Sequence, residues 1–225
     1  MDIKQKFGYL EAFGSKAVIR QYQKGRTIFF QGEVPRSVLI IKKGLIKVYG
    51  ITSSGDQRTV TLLSVGDVLP MSWVTDSAPV CLYYYEALSD CMVLAVSKED
   101  YHAEMSTNED LRNQVLQNYI SHYVGATMHI YALEQSHAQD KLIYLLQYLV
   151  ARFGVAESDG RSKINLRLSH QDIAEMVGIT RETTAVELHK LKQKGFITYQ
   201  KFTYYVDVSK LIRSTGGDEF ENVRM

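Results

Sequence analysis

The chain is poor in cysteine, proline and tryptophan, with two, three and one of them among its 225 residues. Two cysteines are too few for a disulfide scaffold or a four-cysteine iron–sulfur cluster. No apolar run approaches the roughly 20 residues that a membrane-spanning helix needs, and the N-terminal residues lack the apolar core of a signal peptide. We therefore expect a cytoplasmic protein with reduced thiols and no membrane partner.

A charge excess of either sign is also missing. The 26 basic and 25 acidic residues leave a net charge of +1, which on its own does not indicate a nucleic-acid partner. The charge is unevenly spread, however, because residues 138–213 carry 12 basic and 8 acidic side chains whereas residues 1–137 carry 13 and 14. The C-terminal region therefore has the modest basic character of a nucleic-acid-binding module.

Residues 18–96 have the composition of a β structure. They contain short runs rich in Val, Ile, Thr, Tyr and Phe, each bounded by Gly, Ser, Asp or Pro. Such runs, with no helical stretch between them, predict an antiparallel barrel or sandwich. The predicted strands are Val18–Tyr22, Thr27–Phe30, Val38–Lys42, Leu45–Tyr49, Thr59–Leu63, Leu82–Ala87 and Met92–Val96.

Residues 108–135 predict one long helix, because they contain no proline and a single glycine. A narrow apolar stripe along such a helix is typical of a dimerisation coiled coil, and packing against the helix's own domain is the alternative. We expect the stripe to be the seam of a homodimer. It consists of residues spaced three or four apart: Leu116, Tyr119, Tyr123, Ala126, Ile130 and Leu133.

The segment 168–197 has the spacing of a helix-turn-helix. Ser169 begins the first helix as a Ser-x-x-Asp cap, Gly178 supplies a left-handed turn residue, and Thr180 caps the second helix. Residues 197–208 then predict a two-stranded wing. The inward-facing positions of the two helices are Ile173, Ala174, Val177, Thr184, Leu188 and Leu191.

The order of these regions, and the segment GITRETTAVELHKL above all, resembles the cyclic-AMP receptor protein/fumarate-nitrate regulator (Crp/Fnr) family of dimeric transcription factors. The resemblance covers about residues 15–213. It implies an α+β chain with an N-terminal antiparallel β-roll of the cupin-like jelly-roll type, a long dimerisation helix and a C-terminal winged helix-turn-helix. The expected divisions are a sensor domain (1–107), the long helix (108–137), the DNA-binding domain (138–213) and a flexible tail (214–225).

In a helix-turn-helix, the second helix enters the major groove of double-stranded DNA with its N-terminal residues on base edges. Arg181 can bond guanine and Glu182 can accept from cytosine, and the resemblance places both at base-reading positions. Many relatives carry a third, arginine reader where this chain has Val186, which can only touch a thymine methyl. We therefore expect a palindromic operator related to the family's TGTGA-type half-site but altered at one base pair, and contact with RNA polymerase if the protein activates. The predicted DNA-binding residues are Ser169, Thr180, Arg181, Glu182, Thr183, Ala185, Val186, His189 and Lys190.

In the family's cyclic-nucleotide members, a Gly-Glu pair and a later Arg-Ser or Arg-Thr pair hold the ribose and phosphate. When the chain is aligned with that pattern from Gly66, the two pairs fall at Pro70–Met71 and Cys81–Leu82. In addition, residues 59–97 contain no Lys or Arg. Burying a phosphate without a cation is costly, so the sequence argues against cyclic AMP, and we predict no cofactor. Three alternatives stay open: a small apolar or aromatic effector, tyrosines that simply fill the roll, and no effector. The candidate effector residues are Met71, Trp73, Cys81, Leu82, Tyr83, Tyr85, Tyr123 and Thr127.

The sequence contains few residue patterns that indicate a catalytic or metal-binding site. All six histidines follow the β region, which argues against a cupin-type metal site, and we predict no metal. Cys81 and Cys91 form a candidate thiol switch, against the commoner alternative of two ordinary buried thiols. No Ser-His-Asp grouping or phosphate-binding glycine loop stands out. We therefore expect a DNA-binding regulator and no enzyme; the alternative is a cupin-like small-molecule-binding or enzymatic module whose C-terminal domain serves interaction.

Overall fold

A computed structural model describes residues 12–216 of the chain. These divide into two compact units, with the division between Ile120 and Ser121, inside the longest helix. No helix in the described part of the chain is both long and apolar enough to cross a bilayer.

The described residues of the first unit form a β-roll of eight strands. The strands are β1 (Val18–Tyr22), β2 (Thr27–Phe29), β3 (Val38–Lys43), β4 (Ile46–Ile51), β5 (Gln57–Leu63), β6 (Val68–Leu69), β7 (Tyr84–Ala87) and β8 (Cys91–Val96). They form two four-stranded antiparallel sheets, with the orders β1-β8-β3-β6 and β2-β7-β4-β5. The expected antiparallel roll is confirmed.

Strand β3 is buried on both faces and separates two apolar clusters. Leu39 and Ile41 lie in the cluster that fills the roll, while Val38 and Ile40 lie in a second cluster. This alternation follows from the two-residue repeat of a strand, and burying each such side chain contributes roughly 1.5–3 kcal/mol. The second cluster also includes Leu111 and its helical neighbour Val115, so the first turns of the long helix belong to the core of this unit.

The described residues of the first unit also form a 3-10 helix (Gly14–Lys16) and three α-helices: α1 (Met71–Val74), α2 (Lys98–Thr107) and α3 (Glu109–Glu134), the last of which continues into the second unit. Residues 97–100 are a Ser-x-x-Asp capping signal, and the Ser97 hydroxyl accepts from the Asp100 backbone N–H at 3.0 Å and caps α2. The Asn108 side chain likewise accepts from the Leu111 N–H at 3.0 Å and begins α3. The predicted long helix is therefore confirmed to within a residue at each end.

The second unit contains the remaining helices and a third sheet. Its elements are α4 (Ala138–Phe153), β9 (Gly154–Ala156), β10 (Ser162–Ile164), α5 (His170–Val177), α6 (Arg181–Gln193), β11 (Ile197–Gln200), β12 (Thr203–Val206) and α7 (Val208–Thr215). The sheet has the strand order β11-β12-β10-β9. Helix α4 buries one face through Leu142, Leu145 and Leu149, and this face forms the centre of the unit.

The structure corrects the sequence interpretation at two places in this unit. The segment 154–163 has the Gly-, Ser- and Asp-rich composition that predicts a polar loop, but it forms the β9–β10 hairpin, because its flanking residues pair with each other around a short polar turn and β10 also pairs with β12. The expected flexible tail begins too early: Asp207 caps α7, which runs to Thr215, and Leu211 and Ile212 of this helix are buried. Residues 217–225 of that tail lie outside the described residues.

Candidate nucleic-acid interface

Helix α5 begins and ends as its sequence predicts. The Ser169 hydroxyl oxygen accepts from the Asp172 backbone N–H at 3.1 Å, and the Asp172 carboxylate accepts from the Ser169 backbone N–H at 2.7 Å. This capping box satisfies two backbone donors at the helix start. Gly178 ends the helix at a φ of +69°, where a side chain would be strained. The turn between the two helices is therefore fixed at both ends.

Helix α6 is held by its inward face. The Thr180 hydroxyl accepts from the Thr183 N–H at 3.1 Å, and the Thr184 hydroxyl donates to the Thr180 carbonyl at 2.9 Å. Thr184, Leu188 and Leu191 are buried, as predicted from their spacing. Burial of this face fixes which side chains of α6 face outward.

Most of the predicted DNA-binding side chains lie on the outward face of α6. Arg181, Glu182, Val186, His189 and Lys190 are exposed, whereas Thr183 and Ala185 are half-buried. Two of the predicted residues, Ser169 and Thr180, use their hydroxyls to cap helices. Lys190 forms an ion pair with Glu187 at 2.6 Å, which a phosphate would have to replace.

Two aromatic residues outside the predicted DNA-binding set, His170 and Tyr199, contact each other, and each interacts with a side chain of α6. Burial, and secondly the nearby Arg181 charge, lower the pKa of His170 below its usual value. The His170 ring meets the Tyr199 ring edge-on, with 5.8 Å between centroids. His170 is the first residue of α5, and Tyr199 lies on β11. Their contact could have been predicted by packing the predicted wing against the start of the first helix of the helix-turn-helix.

A lysine run continues from α6 into the β11–β12 hairpin. Residues 188–206 contain Lys190, Lys192, Lys194 and Lys201 and no acidic residue. The Lys192 ammonium lies 5.0 Å from the centroid of the Tyr199 ring, and Lys194 donates to the Gln139 side chain at 2.9 Å. Glu187 pairs with Lys190, so the run supplies positive charge on this surface mainly through Lys192, Lys194 and Lys201.

The β11–β12 hairpin has a two-residue turn. Gln200 pairs with Thr203, which leaves Lys201 and Phe202 as the central residues, at φ values of 49° and 68°. Two positive φ angles define a type I′ turn, for which Asn and Gly are the favoured residues. The Leu168 N–H donates to the Phe202 carbonyl at 3.0 Å and ties this turn to the segment that precedes α5.

The C-terminal half of α3 is bonded to the helix-turn-helix within the second unit. The His129 imidazole lies parallel to the Tyr148 ring, with 5.4 Å between centroids, and its Nε2 is 2.7 Å from the Met176 carbonyl oxygen. Met176 is in the last turn of α5. A Cβ at Gly125 would lie 3.1 Å from Tyr148, so α3 and α4 approach each other closely here.

The loop at residues 66–82 contains no Lys or Arg that could pair with the phosphate of a nucleotide. At the positions expected to hold a cyclic nucleotide, Cys81 is 1% exposed, and burial raises the pKa of its thiol to about 12. The first cation after the stretch without Lys or Arg is Lys98, which pairs with Asp76 and donates to the Trp73 carbonyl at 2.8 Å. The residues of this loop therefore do not fit a phosphate.

Within the first unit, the candidate effector residues fall into separate groups. Cys81 and Tyr85 belong to the cluster that fills the roll, where Tyr85 meets Phe29 edge-on at 5.8 Å. Met71 and Trp73 instead pack on the second cluster. Leu82 and Tyr83 lie in a bend before β7 and are exposed. Tyr123 and Thr127 lie on the exposed surface of α3. The packing of Tyr85 favours the alternative in which it fills the roll.

Both cysteines are buried thiols. Burial raises the pKa of Cys81 and also that of Cys91, whose sulfur donates to the Leu45 carbonyl at 3.3 Å. A protonated, buried thiol is a poor nucleophile, so the structure favours the ordinary-thiol alternative over a switch. Within residues 12–216, no three His, Cys, Asp or Glu side chains are grouped as a metal site requires.

Comparison with known proteins divides the chain in the same way. Residues 19–108 match the family described as a cyclic nucleotide-binding domain, and residues 140–213 match the Crp-like helix-turn-helix domain. The chain is 31% identical to the global nitrogen regulator of Synechococcus elongatus over 184 residues, which are 81% of this chain and 82% of that protein.

Two solved structures share the fold. FixK2 from Bradyrhizobium japonicum superposes with a TM-score of 0.71 at 20% identity, over 93% of this chain and 98% of the other. A transcriptional regulator of the CRP family from Thermus thermophilus superposes with a TM-score of 0.69 at 19% identity, over 88% of this chain and 97% of the other.

Proposed function

Because the chain belongs to the Crp/Fnr family of transcriptional regulators, we propose that it binds a palindromic operator as a homodimer and that Arg181 and Glu182 read its bases. Regulators of this family carry a helix-turn-helix that binds DNA, and they act as dimers. The relatives are transcriptional regulators, in line with the expectation that the chain is not an enzyme.

The observation that carries the proposal is the outward face of α6. Its inward face is buried through Thr184, Leu188 and Leu191, so the helix can present only the opposite face to a ligand. That face begins with Arg181 and Glu182 at the helix N-terminus, where a helix-turn-helix meets base edges. Its later residues join a run of lysines suited to phosphates.

The proposed roles follow from the chemistry of each group. Arg181 donates two hydrogen bonds to guanine O6 and N7, and Glu182 accepts from cytosine N4. Val186 offers only methyl groups and suits a thymine methyl, so one base pair of the half-site differs from that of relatives with arginine here. His189, Thr183 and Ala185 line the same face, while Ser169 and Thr180 act by holding the helix starts.

The test of base reading is Arg181→Ala in the full chain. Sites enriched by the wild-type protein from a random duplex library supply the probe, measured by fluorescence anisotropy. The variant should lose about 1–3 kcal/mol of specific binding, with relaxed selection at one guanine. Gln193→Ala, at the exposed end of the same helix, is the control and should bind as the wild type does. If Arg181→Ala binds with unchanged affinity and selection, the role proposed for Arg181 is wrong. If the wild-type protein enriches an unmodified TGTGA half-site, the role proposed for Val186 is wrong.

The dimer proposal is supported by the α3 stripe defined above. All six of its residues are exposed in the single chain, and Tyr123 is 72% exposed. Apolar side chains in a row along a helix are seldom left in water, and a second copy of α3 would cover them. The two copies of α6 in the dimer would then enter successive major grooves about 34 Å apart.

We further propose that cyclic AMP is not the effector, because Cys81 stands buried where the phosphate would need a cation. In a thermal-shift experiment with the full chain, millimolar cyclic AMP should leave the melting temperature unchanged. A ligand that binds only the folded state at 100 times its Kd would add about 2.7 kcal/mol, which is readily detected. A dose-dependent rise in melting temperature would overturn this part of the proposal.

A further inference from the structure

We infer that operator binding is coupled to the uptake of a proton by His170, so that the affinity of this chain for DNA increases as the pH falls. The inference rests on the proposed function and deepens it, because it names a form of regulation for the same surface. A proton from the solvent adds to a nitrogen of the imidazole ring, and no bond of the DNA changes.

The first observation is that the ring nitrogens of His170 are not used by the described fold. The ring is half-buried and meets the Tyr199 ring edge-on, with 5.8 Å between centroids. Within residues 12–216, neither of its nitrogens takes part in a hydrogen bond. A polar group without such a bond, at a partly covered surface, is available to a ligand.

The second observation is the position of this residue. His170 is the first residue of α5, directly after its cap. In a helix-turn-helix the first helix crosses the DNA backbone, and the start of a helix favours anions. Arg181, which we propose to read guanine, is near enough for its charge to act on the ring. When Arg181 is on a base edge, the ring is therefore placed next to backbone phosphates.

The third observation is the set of charged and titratable groups around the ring. Helix α6 contributes Arg181, and β11 contributes Tyr199, whose ring centroid is 5.0 Å from the Lys192 ammonium. Behind Tyr199 lies Tyr204 of β12, with 5.4 Å between the ring centroids. On the helix of His170 itself, one Asp172 carboxylate oxygen already accepts two hydrogen bonds from the cap residue, at 2.7 and 2.6 Å. The charge that acts on the ring is therefore positive.

These surroundings keep the ring neutral in the free protein. Burial, and secondly the Arg181 charge, lower the pKa of His170 below its usual value. Because an ordinary histidine titrates near 6.5, a ring with a lower pKa is uncharged at neutral pH.

Bound DNA changes the charge around the ring. A phosphate within hydrogen-bonding distance stabilises the imidazolium, and it also offsets the charge of Arg181. The pKa of His170 therefore rises on binding. Between the free and the bound value, each protomer of the complex holds more protons than the free protomer, so the affinity increases with falling pH in that interval.

The same linkage has opposite signs for folding and for DNA binding. Folding lowers the pKa of His170, so acidification destabilises the fold. DNA binding raises this pKa, so acidification strengthens the complex. Tighter binding by a less stable protein cannot result from loss of structure.

The test measures the affinity of the full chain for the duplex enriched by the wild-type protein, by fluorescence anisotropy between pH 7.5 and 5.5 at constant ionic strength. The wild-type affinity should rise by about tenfold, the change that corresponds to one unit of pKa shift. His170→Gln, which keeps a polar side chain that does not titrate, should lose most of this rise. His102→Gln is the control, because His102 is exposed on α2 in the first unit, and it should follow the wild type.

A second histidine, His189, is exposed on the outward face of α6 and has to be separated from His170. The rise in affinity on acidification should persist in His189→Gln. If His189→Gln removes the rise and His170→Gln keeps it, the proton binds on α6 and the inference is wrong.

Two further measurements report on the proton and the phosphate separately. Calorimetric titrations near pH 6 in buffers of different ionisation enthalpy count the protons taken up, and His170→Gln should take up fewer than the wild type. His170→Arg carries a permanent charge, so its affinity should vary little with pH. At pH 7.5 its dependence on log salt should be steeper than that of the wild type by about 0.9 for each added phosphate contact.

The outcomes distinguish this inference from the function it rests on. If Arg181→Ala loses base selection while the pH profiles of the wild type and His170→Gln coincide, the proton linkage is wrong and the regulator assignment stands. An affinity that falls on acidification through His170 would also overturn the linkage. If the wild-type protein enriches no duplex at any pH, the proposed function itself fails.

Discussion

At the scale of single residues, His170 links the fold of the second unit to pH. Its pKa is lowered, first by burial and then by the Arg181 charge. An unfolded histidine titrates near 6.5, so between that value and the lower folded value the unfolded chain binds more protons than the folded chain. The contribution of His170 to stability is therefore complete above about pH 6.5 and is lost as the pH falls.

The loss of stability with falling pH gives a prediction for His170→Gln. Between pH 7.5 and 5.5, the unfolding free energy from urea titration should fall less steeply in the variant than in the wild type. Arg181→Ala should also reduce the slope, by a smaller amount, because Arg181 is the second cause of the shift. Parallel pH profiles for the wild type and His170→Gln would show that the group does not titrate in this range.

At the scale of elements, α3 carries two kinds of contact along one helix. In the first unit the Asn118 side chain donates to the buried Asp67 carboxylate at 2.6 Å, and in the second unit His129 meets the Met176 carbonyl. The α3 stripe occupies positions that neither contact uses. A dimer formed through the stripe would therefore leave both intramolecular attachments of the helix in place.

Tyr123→Glu tests the stripe directly. A buried carboxylate facing its own copy across a two-fold seam is repelled and desolvated, so the variant should sediment as a monomer and lose operator affinity. Gln117→Glu adds the same charge to an exposed position about 120° around the helix and should remain a dimer. A Tyr123→Glu protein that still sediments as a dimer would place the interface elsewhere.

At the scale of the whole molecule, regular patterns were predictable and long-range packing was not. The capping signals at Ser97 and Ser169 and the inward spacing of Thr184, Leu188 and Leu191 were sufficient because each depends on neighbours in the chain. Strands β6 and β9 were missed, since two or three residues carry no detectable repeat and gain their stability only from distant partners.

In the candidate nucleic-acid interface, too, local patterns were predictable from the sequence and contacts between distant segments were not. The outward face of α6 followed from helical spacing, whereas the proximity of His170 to Arg181 and Tyr199 joins three elements and could not be read from any one of them. The effector residues of the first unit fall into separate groups for a related reason. A sequence register gives their order along the loop but not the burial of each side chain, and Cys81 is buried whereas its neighbour Leu82 is exposed.

The uneven charge of the chain has a consequence for how quickly the protein finds its site. Non-specific attraction to DNA comes from cations that release counterions, and here residues 138–213 carry a net charge of +4 while the remainder carries −3. We expect such a protein to form brief non-specific complexes that break easily at physiological salt. Its search should proceed mainly by hopping between DNA segments, with only short stretches of sliding.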